Sequence, residues 1–450
     1  MPLSPINNTV TVDWGGTPAP LQPRAASVNL YQAYNPTVAQ NPTYQAAIDY
    51  LNPEAVRIHN SEMMLESTGP NARAHGWVIN PDATYAWDVP KVTAALAAMA
   101  PGRLKMLTIC KFPRALTDTS GRLLAGKATE FGNFCVQLID IAVQHGVTHI
   151  GLLNELDGLY TGATNMGALG AIWNAVRDII KAAHPTIQIG GMAFANVYNS
   201  TNLNTYLAAC GAKMDFCCFN AYSRQIGAVK TQQELWDSAI NNAKAAIDHV
   251  KNRLTANGFP SVPVWMTESG QMLLNGFDPN NVNSKEMIWS ALRLANTATS
   301  IAQFMARWND ADDWFGAYSS PASGYTKRPS AEVFRWWNAL FKTGYAYPHT
   351  KAGDRVPVDV NDSAKGTVFG VQVIAITRPN NKRAMMLINR SELTRNVSIV
   401  NTGWSLPAQT KLDLKLITAT GVTQIADIVY GQLEAGYVMP VDTILIVSEK

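Results

Sequence analysis

The chain contains 450 residues, of which 47% are hydrophobic and 15% charged, a composition that supplies a large core and argues against disorder. Thirty-six basic and 33 acidic side chains give a formal net charge of +3, with no long run of either sign. Binding of nucleic acid through bulk charge is therefore not expected. The sequence also lacks an apolar run of about 18 residues, so we expect no membrane span.

The first residues of the sequence do not have the pattern of a signal peptide. The first basic residue is Arg24, and the charged and apolar regions typical of a signal peptide are missing before it. We therefore expect a cytoplasmic protein, or a secreted one if a signal peptide has been removed.

Cysteine and histidine patterns do not indicate a disulfide framework or a metal site. The five cysteines are an odd number, and Cys217 and Cys218 lie in an apolar run that predicts burial. His145 and His149 have the i, i+4 spacing of a helical metal pair, but Gly146 lies between them. No CxxC, HExxH or calcium-loop pattern occurs. We expect no bound metal.

Residues 25–347 alternate short β-rich runs with segments of helical periodicity, as is typical of consecutive βα units. The runs predicted as strands are 26–31, 55–59, 104–110, 149–155, 187–192, 216–220, 262–268 and 314–318. Helical periodicity covers 89–99, 167–183, 232–254, 284–307 and 330–342. A repeat of about 40 residues favours a (β/α)8 TIM barrel. A doubly wound sheet is the main alternative, but the first run is not followed by a glycine-rich nucleotide turn.

The pattern changes after residue 347. Period-two runs separated by Gly, Asn and Pro predict an antiparallel β-sandwich over residues 348–450. Another strand-like run, 9–14, precedes the barrel, and we expect it to pair with this C-terminal sheet. Residues 1–24 would then hold that strand and a linker, and residues 25–347 the barrel. We expect the sandwich to brace the barrel; a glycan-binding module is the alternative.

Two of the predicted barrel strands end in glutamate, Glu155 on the fourth and Glu268 on the seventh. The carboxyl ends of the strands form the active site in a (β/α)8 barrel. Glycosidic-bond cleavage requires two carboxyl groups facing one cavity, because one protonates the leaving oxygen while the other attacks the anomeric carbon or activates water. A salt bridge or a helix cap would explain either glutamate alone. Two at these strand positions favour catalysis.

These motifs make the chain resemble a retaining glycoside hydrolase of clan A, whose barrels carry catalytic glutamates on strands four and seven. The Asn-Glu signature of strand four matches Asn154-Glu155, which implies that Glu155 is the general acid/base and that Asn154 binds the sugar 2-hydroxyl. Glu268 matches the nucleophile. Arg57 matches the strand-two arginine near it, and Tyr222 the strand-six tyrosine that hydrogen-bonds it. A barrel with a terminal sandwich is similar to families 39, 30, 51 and 79 of that clan.

Three positions depart from the pattern of these families. Leu156 follows the acid/base where family 39-like members have proline. Asn220 occupies the strand-six position at which these families commonly have a histidine. Tyr318 occupies the position of the strand-eight tryptophan on which the sugar in the first site rests. These departures bear on the family and its substrate, and leave the two glutamates in place.

A retaining mechanism also predicts the charge states of the pair, whose carboxyl groups should lie about 5–5.5 Å apart. We expect Glu268 to be ionised, stabilised by Arg57 and the Tyr222 hydroxyl. We expect the pKa of Glu155 to be raised by the neighbouring charge and by partial burial. No metal or organic cofactor is needed.

Aromatic and polar residues near the strand ends are candidates for substrate binding. Trp77, Tyr85 and Trp87 lie in a long polar loop after strand two, where their flat faces would contact a sugar. His59 and Asn60 end strand two and would contact the sugar in the first site. For His59, a hydrogen-bonding role in the core is the alternative.

Three basic residues, Lys111, Arg114 and Arg224, follow predicted strands three and six. At the mouth of the cleft they would bind a carboxylate or sulfate of an acidic sugar; solvated loop charges are the alternative.

The sequence therefore predicts a retaining glycosidase that cleaves a β-type bond, or its L-sugar equivalent, in an oligo- or polysaccharide. A transglycosidase would carry the same residues. A barrel that binds carbohydrate without cutting it is the alternative from another class, and the intact set of Glu155, Glu268, Arg57 and Tyr222 argues against it. The sugar, exo or endo cleavage and the oligomeric state are not predicted.

Overall fold

A computed structural model describes residues 6–68, 76–80, 82–83, 85–99, 102–223, 231–271, 279–403 and 407–450. No helix within these ranges is long and apolar enough to cross a membrane.

Eight parallel strands form a closed barrel. They are Ser27–Leu30, Ala55–Ile58, Leu104–Ile109, Val147–Leu152, Gln188–Gly190, Cys217–Tyr222, Val264–Gly270 and Ala302–Arg307, called barrel strands one to eight below. Strand eight pairs with strand one. Bridges from Gly190 to Phe216 and from Phe194 to Phe219 close the barrel between strands five and six. The predicted (β/α)8 fold class is confirmed.

A helix follows each barrel strand and covers the outside of the barrel. These helices are Pro42–Leu51, Val89–Ala97, Ala128–Gln144, Ala163–Ala183, Ser200–Cys210, Gln232–Ala256, Ser284–Thr297 and Pro329–Leu340, with a short helix at Pro36–Ala39. Local signals define their ends. Thr231, for example, accepts a hydrogen bond from the Glu234 N–H while the Glu234 carboxylate accepts one from the Thr231 N–H.

Barrel strand eight differs from the sequence prediction. The helix predicted over 284–307 ends at Thr297, and Ala302–Arg307 forms the strand. The segment predicted as that strand, 314–318, belongs to the following loop. A strand buried on both faces has no polar alternation, so its sequence cannot be distinguished from that of a buried helix by periodicity.

Two sheets form the C-terminal sandwich. One contains, in order, His349–Gly353, Ile6–Asp13, Arg395–Thr402 and Tyr437–Met439. The other contains Ala19–Pro20, Tyr345–Ala346, Val371–Thr377, Arg383–Asn389, Ile444–Glu449, Lys411–Thr418 and Gly421–Val429. The amino-terminal strand therefore lies inside the first sheet, antiparallel to one neighbour and parallel to the other, which confirms its predicted pairing.

Smaller elements are the hairpins Val78–Ile79 with Ala86–Trp87 and Arg355–Pro357 with Thr367–Phe369, and the helix Tyr430–Ala435.

The sandwich contacts two barrel helices through polar side chains. Gln233 donates to the Arg390 carbonyl at 2.7 Å, and Arg390 donates to the Gln233 carbonyl at 3.2 Å. Lys285 forms ion pairs with Asp442 at 2.8 Å and Glu392 at 3.0 Å. The two bonds between Gln233 and Arg390 are buried and reciprocal, so they favour one orientation of the sandwich on the barrel.

Candidate active site

Glu268 lies buried in barrel strand seven, near the carboxyl end of the strand. Its Oε1 accepts a hydrogen bond from Nη1 of Arg57 at 2.8 Å, and its Oε2 accepts one from the Tyr222 hydroxyl at 2.7 Å. A buried carboxylate is costly unless it is both paired and hydrogen-bonded, and Glu268 is both. Burial and the charge of Glu268 raise the pKa of Tyr222 well above its usual range, so its hydroxyl remains a donor.

The guanidinium of Arg57 is fully buried and joins residues from several barrel strands. Besides Glu268, it donates to Asn29 at 2.9 Å, Thr108 at 2.9 Å and Asn154 at 2.7 Å. A rigid fork of five N–H donors suits this position, and lysine lacks that geometry. Asn29 and Thr108 were not predicted from the sequence; their polarity within the otherwise apolar strands one and three was the available signal.

Glu155 lies in the turn that follows barrel strand four. Leu153 and Glu155 both have left-handed backbone, with φ of 74° and 53°. The Glu155 N–H donates to the Ala193 carbonyl at 2.8 Å, which ties this turn to the end of strand five. Left-handed non-glycine residues are uncommon and cluster at functional sites, where surrounding contacts hold them in place.

Glu155 is exposed to solvent on one side, but the neighbouring residues partly desolvate its carboxyl group. The pKa of Glu155 is raised to about 7, first by desolvation and second by the charge of Glu268. Asn220 opposes this shift by donating a hydrogen bond to the Glu155 carboxyl. The Thr267 hydroxyl donates to Oδ1 of Asn220 at 2.8 Å and so orients that amide. The cleft therefore pairs a protonatable carboxyl with an ion-paired carboxylate.

Three rings form a wall beside Glu268. His59 Nε2 lies 3.6 Å from Oε1 of Glu268. Burial, followed by two nearby cations, holds the pKa of His59 well below its usual range, so the imidazole is neutral. The Trp308 ring lies 5.5 Å from the His59 ring and 5.1 Å from the Tyr31 ring, measured between centroids. These rings give the cleft an apolar side.

Trp308 directly follows barrel strand eight, the position that the sequence analysis gave to Tyr318. Tyr318 is instead buried in the subsequent loop, where its N–H donates to the Asp310 carbonyl at 2.9 Å. The predicted sugar contact of Tyr318 is therefore wrong, because it rested on the wrong strand. The strand-eight tryptophan that the sequence comparison found replaced by Tyr318 is therefore present, as Trp308.

Of the three aromatic residues proposed as a substrate platform, Trp77 and Trp87 are buried and Tyr85 is partly buried. Trp77 is fully buried and donates to the Tyr34 carbonyl at 2.7 Å, so the predicted substrate contact is wrong. Trp87 stacks on Phe134 with 4.1 Å between centroids, and Tyr85 lies edge-on to the same ring at 5.7 Å. The polar composition of their loop concealed this packing.

The buried Asn60 uses its side chain locally. Its amide donates to the Tyr31 carbonyl at 3.0 Å, and its oxygen accepts from the Glu62 N–H at 2.8 Å. Asn60 therefore shapes the loop after strand two, next to His59. A direct sugar contact by Asn60 or His59 remains a proposal.

The predicted basic residues separate into different environments. Lys111 is exposed just past strand three, and its positive charge helps to lower the pKa of His59. Arg114 forms a surface ion pair with Asp82 at 3.3 Å. Arg224 lies outside the described residues.

All five cysteines are buried free thiols. Among the residues that the structure describes, no group of three or more His, Cys, Asp or Glu could hold a metal ion.

The barrel and its terminal sandwich together have the fold of several solved glycoside hydrolases. The chain is similar to a GH39 β-xylosidase from Caulobacter crescentus, with a TM-score of 0.68, 16% identity and coverage of 98% of this chain and 99% of that one. It is similar to AbfB, a family 51 α-L-arabinofuranosidase from Bifidobacterium longum, with a TM-score of 0.68, 12% identity and coverage of 99% and 100%. It is also similar to CelM2, a bifunctional glucanase-xylanase from a metagenome library, with a TM-score of 0.64, 13% identity and coverage of 98% of this chain and 99% of that one. No protein-family model and no curated protein matches the sequence.

Proposed function

We propose that this protein is a retaining glycoside hydrolase in which Glu268 is the nucleophile and Glu155 the general acid/base. The observation that carries the proposal is the contrast between the two carboxyl groups. Glu268 is paired with Arg57 and hydrogen-bonded by Tyr222, whereas Glu155 has its pKa raised to about 7. Two carboxyl groups with opposite environments in one cleft suit acid–base and nucleophilic roles.

In the first step, the Glu268 carboxylate attacks the anomeric carbon and forms a glycosyl ester. The bond from that carbon to the glycosidic oxygen breaks as Glu155 donates its proton to the departing oxygen. The new ester removes the negative charge of Glu268, so the pKa of Glu155 falls and Glu155 becomes a base.

In the second step, Glu155 takes a proton from water, and the water oxygen attacks the anomeric carbon. The ester bond breaks, Glu268 leaves as a carboxylate and the Glu155 proton is restored. Arg57 and Tyr222 already contact the two oxygens of Glu268, so they stabilise this departing charge without reorganisation.

Asn154 and Trp308 would bind the sugar that is transferred. Oδ1 of Asn154 accepts from Arg57 at 2.7 Å, which leaves its amide nitrogen as the donor for the sugar 2-hydroxyl. Trp308 offers an apolar surface against a ring face.

The proposed bond is of β-type or its L-sugar equivalent, in an oligo- or polysaccharide. The similar structures include a β-xylosidase, an α-L-arabinofuranosidase and a glucanase-xylanase. Aryl β-xylosides, α-L-arabinofuranosides and β-glucosides are therefore the first substrates to test.

The test is trapping with 2,4-dinitrophenyl 2-deoxy-2-fluoroglycosides of these three sugars, followed by mass spectrometry of intact and digested protein. We expect one added fluorosugar, attached to the peptide that contains Glu268, and no addition to Glu268→Ala. Glu392→Gln, which changes a carboxylate on the sandwich, is the matched control and should be labelled like the wild type.

Labelling at another carboxylate would overturn the assignment of the nucleophile. A protein that binds polysaccharide but neither cleaves aryl glycosides nor is labelled would be the carbohydrate-binding barrel. Formation of longer saccharides in place of reducing sugar would indicate a transglycosidase.

A further inference from the structure

Trp314 is an exposed aromatic side chain on a rigid loop. It is 48% exposed and lies after barrel strand eight, on the face of the barrel where the strands end. The Asp312 carboxylate accepts from the N–H groups of Trp314 at 2.8 Å, Phe315 at 2.5 Å and Gly316 at 2.7 Å. Three backbone bonds to one carboxylate oxygen hold the Trp314 backbone in a single conformation.

The same loop carries Trp308 of the candidate active site. Asn309, the neighbour of Trp308, donates to the other oxygen of Asp312 at 2.6 Å. The buried guanidinium of Arg307 donates to the carbonyls of Asn309 and Phe315. Trp308 and Trp314 are therefore positioned by one continuous set of hydrogen bonds.

Hydrogen bonds from Arg307 and Asn309 tie this loop to the end of barrel strand eight, beside Trp308. The pKa of Tyr31 is raised by burial, then by Glu62 and then by Asp312, so the Asp312 charge reaches the ring that lies against Trp308. Trp314 lies two residues beyond Asp312, on the same hydrogen-bonded loop as Trp308.

Gly316 shows how tightly the loop is folded. A Cβ atom at this position would lie 2.4 Å from the Asp312 nitrogen and 2.4 Å from the Tyr318 carbonyl oxygen. A residue with a side chain therefore does not fit at Gly316, and the backbone of the loop that carries Trp314 is closely packed at this point.

We propose that Trp314 is a platform for a second sugar unit and that the substrate is a saccharide chain extending across the rim beyond the bond that is cut. The inference rests on the proposed function and specifies its substrate class. An exposed indole has a flat apolar face that matches the C–H face of a pyranose or furanose ring. Because the loop is already ordered, little conformational entropy is lost when a sugar binds.

The experiment compares kcat/KM on a chain, soluble arabinoxylan or mixed-linkage β-glucan, with kcat/KM on the aryl monoglycoside that the enzyme turns over. Losing one stacking contact should lower the ratio of chain to aryl activity about 3- to 10-fold in Trp314→Ala, chiefly through KM. Trp314→Phe should restore most of the ratio. Tyr345→Ala removes an equally exposed aromatic ring (52%) from a sandwich strand and should keep the wild-type ratio.

An unchanged ratio in Trp314→Ala would overturn the inference, as would an equal fall with both substrates. Affinity electrophoresis in gels containing the same polysaccharides separates this inference from the proposed function. Retardation of Glu268→Gln that is lost in Glu268→Gln/Trp314→Ala supports the platform even if no glycoside is hydrolysed. Hydrolysis without such a difference in retardation refutes the platform and leaves the proposed function standing.

Discussion

Asn220 donates a hydrogen bond to Glu155, with 2.8 Å between Nδ2 and Oε1. Asn220 occupies the position at which the families that the sequence resembles commonly have a histidine. Its amide oxygen accepts a hydrogen bond from the hydroxyl of Thr267, the residue before Glu268. Because a donor to a carboxylate favours its ionised form, Asn220 limits the pKa of Glu155 to about 7 against burial and the charge of Glu268.

Asn220→Ala should raise the pKa of Glu155, since the favourable bond to the ionised form is lost. Glu155 must be protonated to act as an acid, so the limb of kcat/KM that falls at high pH should move to higher pH. Thr267→Val removes the bonds from the Thr267 hydroxyl to the Asn220 amide and the Phe219 carbonyl but leaves Asn220 in place, so it should move this limb less in the same direction. A limb that stays in place, or moves to lower pH, would contradict the role of this bond.

Activity of the wild type should decline as pH rises through about 7, because the raised pKa leaves Glu155 protonated below that value and ionised above it. Glu155→Gln should lower the rate about 10²- to 10⁴-fold on glycosides with poor leaving groups. With a dinitrophenyl glycoside, which leaves without a proton, the variant should lose far less in the first step. A pH–rate profile that keeps this limb in Glu155→Gln would assign the limb to another group.

Removing Arg57 should destabilise the fold, because Glu268 would remain buried without its cation. Arg57→Met is expected to lower the free energy of unfolding by about 3–5 kcal/mol, measured by urea denaturation. Combining it with Glu268→Gln should recover part of that loss, since no charge is then left unpaired. Strictly additive losses in the two variants would show that the ion pair contributes little beyond packing.

Glu286 is expected to act as a positioning residue for Trp308. Its Oε1 pairs with Arg307 at 2.5 Å, and Arg307 in turn holds the loop that carries Trp308 and Trp314. Glu286→Gln should raise KM more than it lowers kcat and should alter the near-ultraviolet circular dichroism of the tryptophans. Glu286→Asp, which keeps the charge, should restore part of both. A loss of stability with unchanged KM and spectrum would leave Glu286 a purely structural residue.

The part of the site that was predictable from sequence consists of polar residues in apolar strands. Arg57, Glu155 and Glu268 stand out because a charge at the end of a buried strand needs a partner or a function. Trp308 was missed because its strand, buried on both sides, lacks the alternation that marks a strand. Trp77 was misplaced because a loop that looks polar in sequence packs its aromatic residue inward, a tertiary contact without a local signal.

The amino-terminal strand Ile6–Asp13 is synthesised long before its parallel partner Arg395–Thr402. Asn7 and Asn396, 389 residues apart in the chain, share a side-chain hydrogen bond of 3.0 Å. The barrel can be complete on the ribosome while this strand still exposes an unpaired edge and the side chains that the sandwich later covers. We therefore expect the sandwich to assemble last and to limit the rate of folding, because its assembly needs a contact across nearly the whole chain.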